Sequence, residues 1–159
     1  GKSSIGRKIA QFCGFKFVDT DRLIGQSIES PLKDYINEHG ESAFLRIEEE
    51  TILAFEKFEG TIIATGGSVV YSEKAMAHLA KYSRVLLLAD APDNILKRIS
   101  KTIMTRGIVG LHEQSFQTFY ASRNPLYEAN AEFTVVLPNP FHQEKIAKLC
   151  MEKLGLVQK

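Results

Sequence analysis

The chain has 159 residues, of which 44% are hydrophobic and 25% are charged, and its formal net charge is +1. This length predicts one domain with a sizeable core, so residues 1–159 are taken as a single domain. A net charge so close to zero provides no long-range field for nucleic acid or anionic lipid, and neither is expected as a partner. No apolar run comes near the ~18 residues that suggest a membrane-spanning helix.

The two cysteines, Cys13 and Cys150, lie in apolar contexts and lack the spacing of metal ligands. We predict two buried free thiols, which suit a reducing compartment, and therefore expect a cytoplasmic protein. The four histidines are scattered and also lack metal-ligand spacing.

The N-terminal half begins with a helical pattern over 4–13 and an apolar run at 15–19 that predicts a strand. Helical patterns then follow at 30–40 and 42–60 with no strand between them. The region 21–48 is therefore expected to lie beside the sheet as a separate excursion.

The helix over 30–40 has local signals at both ends. Ser30 is expected to be its N-cap, Pro31 its first helical residue and Gly40 its end. The next helix is expected to end near Gly60.

The C-terminal half repeats the alternation of strands and helices. Strands are predicted at 61–65, 84–90 and 133–138, and helices at 72–81, 92–99, 114–123 and 141–154. The pattern is lost over 100–113, and a segment of that length inside a domain is usually functional, for example as a lid. Continuous apolar strands separated by helices predict a three-layer α/β/α domain with a parallel sheet.

The residues Gly1-Lys2-Ser3 match the second half of the phosphate-loop pattern GxxxxGK[ST] and stand before a helix, as that pattern requires. In such a loop, backbone N–H groups and the helix N-terminus hold phosphate, the lysine reaches the terminal phosphates and the hydroxyl coordinates Mg²⁺. Three residues also match by chance, so the alternative is a tripeptide without function.

Asp19 and Asp21 follow the first strand in the sequence VDTD. Ligands of open α/β sheets bind beyond the carboxyl ends of strands, so Asp19 could face a hydrated Mg²⁺ and Asp21 a substrate hydroxyl. The alternative is that Asp19 or Thr20 only caps the next helix.

Gly66 and Gly67 follow the second strand in ATGGSVV, where they either let the backbone come close to a ligand or only form a turn. Arg106 lies in the segment 100–113, and an arginine there suits the stabilisation of a transferring phosphoryl group. Arg123 is expected to end a helix that Pro125 stops, and a helix-end arginine is usually solvated.

Taken in order, the segments GKSSIGR, FVDTDRLI, HGESAF, ATGG and RNPLYE resemble the shikimate kinase family over essentially the whole chain. The resemblance implies a five-stranded parallel sheet of the P-loop kinase type, of which the first strand is absent from this chain, together with a substrate-binding region and a lid. It implies ATP- and Mg²⁺-dependent phosphorylation of the 3-hydroxyl of shikimate, on the route to chorismate and the aromatic amino acids.

The resemblance also implies roles for individual residues. Lys2, Asp21 and Arg106 would be catalytic, and Ser3 and Asp19 would face Mg²⁺. The nucleotide-binding residues would be Gly1, Lys2, Ser3, Ser4, Arg98, Arg106 and Pro140, with Arg98 and Pro140 near adenine. The acceptor-binding residues would be Asp21, Gly66, Gly67 and Arg123.

The chain departs from the family pattern at three places. The arginine that grips the shikimate carboxylate is Leu45 here, and Arg46 is one residue, or about 100°, further round the helix. Ser68 replaces the third glycine of the GGG motif, and Gly107-Ile108-Val109 replaces PLL in the lid. Leu45 predicts weak shikimate binding or a different acceptor.

The leading hypothesis is therefore a monomeric, ATP-dependent kinase of shikimate. The alternatives are a P-loop kinase for another small hydroxy acid or polyol, and a nucleotide-binding homologue without phosphotransfer. From the GxxxxGK[ST] template we also expect the natural protein to have roughly ten to fifteen further residues upstream, including a strand and the first glycine of the loop.

Overall fold

The computed structural model describes residues 1–99, 108–111 and 114–158. Its elements follow in this order: α1 Lys2–Cys13, β1 Lys16–Asp19, α2 Thr20–Ser27, α3 Leu32–His39, α4 Glu41–Leu53, β2 Thr61–Ala64, a 3₁₀ helix Ser68–Tyr71, α5 Glu73–Tyr82, β3 Leu86–Ala89, α6 Pro92–Ile99, α7 Phe116–Asn130, β4 Phe133–Val136 and α8 Gln143–Leu154. The α/β fold with parallel strands is confirmed, and the excursion over 21–48 contains helices only.

The strands form two parallel pairs. β1 pairs with β2 in a register that places Asp19 beside Ala64, and β3 pairs with β4 so that Ala89 lies beside Val136. Among the described residues, no strand hydrogen bond joins the two pairs. The further strand expected upstream of Gly1 stays a prediction.

Two apolar clusters hold the helices in place, and the first of them also includes strand residues. One joins α1 to α8 and β4, and it buries both cysteines as free thiols, which confirms that prediction. The other joins α4, the 3₁₀ helix and α5 through residues such as Ile52 and Met76. Gly6 lets α1 lie close to the sheet, because a Cβ there would stand 3.0 Å from the Phe17 ring.

The ends of α3 and α4 differ from the prediction. Pro31, not Ser30, is the N-cap of α3, because the Ser30 hydroxyl donates to the Pro31 carbonyl and leaves the helix N–H groups uncapped by its side chain. Gly40, with φ of +84°, ends α3 as predicted and also precedes α4. α4 ends at Leu53 and does not extend to the vicinity of Gly60.

The prediction that a helix ends at Arg123 is wrong. α7 continues through Pro125 to Asn130, so Arg123 lies in the middle of the helix and is only 4% exposed. A proline inside a helix removes one backbone hydrogen bond. Tertiary contacts hold the second half of α7 in place, since the Tyr127 hydroxyl donates to the Gly67 carbonyl at 2.9 Å.

No helix in the described part of the chain combines the length and apolar character needed to cross a membrane.

Candidate active site

Two carboxylates meet at Gly66, just past the carboxyl end of β2. A Cβ on Gly66 would stand 2.3 Å from Glu48 Oε1 and 2.6 Å from Asp21 Oδ1. The Gly66 N–H donates to the buried hydroxyl of Thr20 at 3.0 Å, which ties this turn to the start of α2. The glycine is therefore required because the backbone passes directly against both carboxylates, and it is more than a turn residue.

Glu48 is the buried member of this pair. It is 1% exposed, and neither of its carboxylate oxygens accepts a well-formed hydrogen bond from the described residues, although the Ser68 hydroxyl lies close enough to interact. Burial raises its pKa to about 7, and the negative charge of Asp21 adds to that rise. The Ser68 hydroxyl and the positive charges of Arg123 and Lys2 oppose the rise in pKa. A buried acid without well-formed hydrogen bonds, facing an exposed aspartate, marks this point as a site for polar ligands.

Arg123 lies on the other side of the Gly66–Gly67 turn and is held from several directions. Its Nε donates to the Tyr71 hydroxyl at 3.1 Å, and its Nη2 donates to the Val109 carbonyl at 3.0 Å. The guanidinium carbon is also 4.6 Å from the ring centroids of Tyr71 and Phe119. The remaining nitrogen, Nη1, faces Gly67, where a Cβ would stand 3.4 Å away. These contacts direct one donor group of a buried cation toward the turn.

Tyr127 completes this wall. Burial raises the pKa of its hydroxyl, the neighbouring Arg123 charge opposing that rise, so the group stays protonated at neutral pH. It can therefore donate steadily to the Gly67 carbonyl. The turn is thus held from both α2 and α7.

The phosphate side of the site is the N-terminus of α1. Gly1 is the N-cap without a side-chain bond to the first turn, and that turn contains no acidic residue. The Ser4 hydroxyl donates back to the Gly1 carbonyl at 3.0 Å. Lys2 is exposed, and its charge acts on Glu48. A helix dipole, a first turn without acidic side chains and a nearby lysine make this terminus suitable for phosphate.

Asp19 is the N-cap of α2, as the alternative prediction for this residue had it. Its Oδ1 accepts from the Arg22 N–H at 3.4 Å, at the start of α2. Among the described residues, no group of three or more histidines, cysteines or carboxylates is arranged to hold a metal. Asp19 and Ser3 carry a carboxylate and a hydroxyl oxygen, which are the donor types that Mg²⁺ takes from proteins, usually one or two of them together with substrate phosphates and water.

The residues expected near adenine lie beside the same helix terminus. Arg98 forms an ion pair with Asp90, and its guanidinium carbon is 5.6 Å from the centroid of the Phe141 ring. That ring would be 3.5 Å from a Cβ on Gly1. Pro140 precedes Phe141 in the chain. An aromatic ring, an arginine and a proline next to the phosphate side could form a planar slot for a base.

A cleft between α4 and the 3₁₀ helix continues from Glu48. Its walls include Leu45, Arg46, Ser68 and Tyr71. Leu45 also packs against the apolar cluster that contains Ile24 and Phe44, so its side chain is anchored on the excursion. Arg46 is exposed at this cleft, and it does not occupy the place of Leu45.

The structure thus brings together all four of the predicted acceptor residues. Asp21, Gly66, Gly67 and Arg123 converge on one turn, and Lys2 acts on Glu48 from the phosphate side. The alternative that Arg123 is a solvated helix-end residue is wrong, because its side chain is buried. Arg106 and most of the segment 100–113 lie outside the described residues.

Glu48 is the main site residue for which the sequence reasoning gave no role. Phe44, Glu48 and Ile52 recur at a spacing of four residues, and all three are at most 3% exposed. A glutamate on the apolar stripe of a helix was therefore the available signal. Tyr71 and Tyr127 gave no comparable signal, because their contacts come from segments far apart in the sequence.

Comparison with known proteins identifies the family of this chain. A family model for shikimate kinase matches residues 1–155. The shikimate kinase of Caldanaerobacter subterraneus subsp. tengcongensis is 30% identical over 137 residues, which cover 85% of this chain and 79% of the relative. The enzyme of the same name from Lactococcus lactis subsp. cremoris is 32% identical over 154 residues, covering 96% and 91%.

Solved structures show the same fold. Shikimate kinase from Acinetobacter baumannii, in complex with shikimate, superposes with a TM-score of 0.86 at 23% identity, covering 98% of this chain and 87% of that one. Shikimate kinase from Aquifex aeolicus superposes with a TM-score of 0.80 at 19% identity, with coverage of 98% and 90%. Through the match over nearly its whole length, this chain belongs to the shikimate kinase family.

Proposed function

We propose that this protein transfers the terminal phosphoryl group of ATP to the 3-hydroxyl of shikimate, giving shikimate 3-phosphate on the route to chorismate. The observation that carries the proposal is the convergence of Asp21, Glu48 and Arg123 on the Gly66–Gly67 turn in a chain of this family. A small polyhydroxy carboxylate needs hydrogen-bond acceptors for its hydroxyls and a cation for its carboxylate, and this turn offers both.

The nucleotide would lie with its phosphates at the N-terminus of α1. The backbone N–H groups at the start of α1 and the ammonium group of Lys2 would bind the phosphate oxygens and favour the charge that develops during transfer. Ser3 and Asp19 would hold Mg²⁺, which when bound neutralises charge on the phosphates. Arg98 and Pro140 would flank the adenine ring, and Arg106 would add positive charge at the transferring group.

The acceptor would bind at the Gly66–Gly67 turn. Arg123 Nη1 would donate to the shikimate carboxylate, while Asp21 would accept a hydrogen bond from the reacting hydroxyl and take its proton. The backbone at Gly67 would contact the acceptor directly. Glu48 lies behind Asp21, so its charge state alters the field in which Asp21 accepts that proton.

The compartment in which the protein acts is proposed from its two cysteines. The two buried free thiols suit a reducing compartment such as the cytoplasm. We propose that the protein acts there as a monomer.

A coupled assay of ADP release, with ATP, Mg²⁺ and shikimate and the full-length protein, tests the function. We expect turnover in the wild type and a fall in kcat of ~10²–10⁴-fold in Asp21→Asn, because a general base contributes about that much. In Lys2→Ala, kcat should fall by at least ~10²-fold, because the electrostatic stabilisation by the ammonium group is lost. The exposed Asp93→Asn and Lys145→Ala are matched controls and should retain wild-type activity.

Absence of turnover at millimolar shikimate would contradict the acceptor assignment. Leu45 gives a reason to run the same assay on other small hydroxy acids and polyols, because the family pattern has an arginine at that position. ADP release with one of these and not with shikimate would indicate a kinase of changed specificity. Nucleotide binding without any product would indicate a homologue that has lost phosphotransfer.

A further inference from the structure

The turn at 108–111 joins Glu41, at the start of α4, to Arg123 in α7. The Gly110 N–H donates to Glu41 Oε1 at 2.7 Å, and the preceding residue, Val109, accepts from Arg123 Nη2 through its carbonyl oxygen at 3.0 Å. Glu41 and Arg123 therefore hold adjacent residues of one short turn, from opposite sides.

The turn itself is well defined by its surroundings. Val109 is 4% exposed and packs in the cluster of Ile24, Ile36 and Phe44. Gly110 has φ of +79°, a conformation that favours glycine, and the Leu111 N–H donates to the Ile108 carbonyl at 3.3 Å. An apolar anchor, a fixed turn and one side-chain hydrogen bond to its backbone leave the Val109 carbonyl little freedom.

We propose that Glu41 is a positioning residue for the acceptor-binding arginine: by binding the Gly110 N–H it fixes the Val109 carbonyl, which orients the Arg123 guanidinium so that Nη1 faces the acceptor. The inference rests on the proposed function for its effect on shikimate, since it assumes that Arg123 binds the carboxylate. The link from Glu41 to Arg123 that it uses is the backbone of Val109 and Gly110.

The arrangement explains why a buried arginine can be ready before the acceptor binds. Tyr71 fixes Nε and the Val109 carbonyl fixes Nη2, while the Tyr127 hydroxyl is a further neighbour that interacts with the guanidinium. If the turn shifted, Nη2 would lose its acceptor and the plane of the guanidinium could rotate about the bond to Tyr71. Preorganisation of this kind lowers the ordering cost of binding.

Calorimetry with shikimate and steady-state kinetics test the role in catalysis. We expect Glu41→Ala to raise the Kd and KM for shikimate by ~10-fold, the lower end of what loss of a hydrogen bond to a charged group costs, while kcat and the KM for ATP change less than ~2-fold. Glu41→Gln keeps an oxygen that can accept from the Gly110 N–H and should restore the wild-type Kd. Glu50→Ala, exposed on the same helix, is the matched control.

A double-mutant cycle with Arg123→Lys shows whether the effect passes through Arg123. In the Arg123→Lys background, Glu41→Ala should raise the Kd for shikimate less than ~3-fold, because the effects of residues that act through one another are not additive. The proposal would be overturned by an equally large rise in Kd when Glu41→Ala is made in the Arg123→Lys background. It would also be overturned by an unchanged Kd in the single Glu41→Ala variant, or by a failure of Glu41→Gln to restore binding.

A spectroscopic measurement separates this inference from the proposed function, because it needs no substrate. The Nε–H resonance of Arg123, assigned by its loss in Arg123→Lys, should shift in Glu41→Ala and return in Glu41→Gln. An unmoved resonance overturns the positioning role even where shikimate is turned over. A moved resonance in a protein that does not bind shikimate supports the positioning role and overturns only the acceptor assignment.

Discussion

The two sides of the active site are built in different ways. On the acceptor side, Asp21, Glu48 and Arg123 come from three helices far apart in the sequence, and they meet at Gly66 and Gly67. On the phosphate side, the groups from Gly1 to Ser4 are neighbours in the chain, and the hydrogen bond from Ser4 to Gly1 is local. The acceptor side depends on tertiary packing, whereas the phosphate side depends on one helix terminus.

This difference predicts how each side responds to substitution. A change on the acceptor side should move several groups at once, because Glu48 is buried and Arg123 is held by contacts from two other segments. A change on the phosphate side should remove only the group that is replaced. Substitutions at the acceptor side therefore test whether its parts are coupled as the geometry indicates.

The largest effect is expected from Gly66→Ala. Its Cβ would stand 2.3 Å from Glu48 Oε1 and 2.6 Å from Asp21 Oδ1, so both carboxylates must move. Because misplacement of reacting groups by about 1 Å can cost ~10²-fold, kcat/KM for shikimate should fall by at least that factor. Steady-state kinetics, with thermal unfolding to verify the fold, provide the measurement.

Gly67→Ala is the companion substitution at the neighbouring acceptor-binding glycine, where a Cβ would meet less crowding. The nearest atom to its Cβ would be the Tyr127 hydroxyl at 3.1 Å, which can move by a few tenths of an ångström. We expect kcat/KM for shikimate to fall by less than ~10-fold, because the displacement is smaller. Equal losses at the two glycines would show that the carboxylate pair is not the sensitive feature.

The next effect concerns the stability of the protein as a function of pH. The pKa of Glu48 is about 7 in the folded protein and 4.5 for an ordinary glutamate, so the folded state binds this proton more tightly than the unfolded state. The contribution of Glu48 to the free energy of unfolding is therefore constant below pH 4.5, falls as the pH rises toward 7, and levels off above it. The total fall is at most about 3 kcal/mol.

Urea unfolding of the wild type and of Glu48→Gln, between pH 4 and pH 8, measures this contribution. The difference in unfolding free energy between the two should change over the window from 4.5 to about 7 in the direction that disfavours the wild type. Glu50→Gln, exposed on the same helix, should give a curve parallel to that of the wild type. Parallel curves for Glu48→Gln would show that this carboxylate is not desolvated.

The contrast between the two sides also explains how much the sequence could predict. The phosphate side could be identified because Gly1-Lys2-Ser3 is a local pattern followed by a helix, and the order of motifs extended this to the family. The strands and most helices followed from continuous apolar runs and their spacing. Asp21, Gly66 and Gly67 were expected because they follow strand ends, where parallel sheets bind ligands.

What the sequence could not predict depends on tertiary contacts. Pro125 is a local signal for a helix end, yet α7 continues past it because Arg123 and Tyr127, on successive turns before and after the proline, are anchored by distant partners. The bond from Gly110 to Glu41 spans 69 residues. Sequence periodicity carries no information on such pairs, so only the structure shows the hydrogen bonds that hold Arg123.

The smallest effect in this comparison is expected from Leu45→Arg. Leu45 lines the cleft that also contains Glu48 and Ser68, where the family pattern has an arginine. A second cation there would add a charge-assisted hydrogen bond to the acceptor carboxylate beside that of Arg123, and we expect the KM for shikimate to fall by ~10-fold. The KM for ATP should not change, because the phosphate side is built independently.

Leu53→Arg, at the exposed end of the same helix, is the matched control, since it adds the same charge away from the cleft. Leu45 is half-buried against the cluster of Ile24 and Phe44, so its replacement should also lower stability by about 1–2 kcal/mol, and thermal unfolding measures that cost. A KM for shikimate that stays constant or rises in Leu45→Arg, with the fold intact, would mean that the acceptor carboxylate does not face this wall. The acceptor side would then rely on Arg123 alone, which makes the exact orientation of that one guanidinium the main determinant of acceptor affinity.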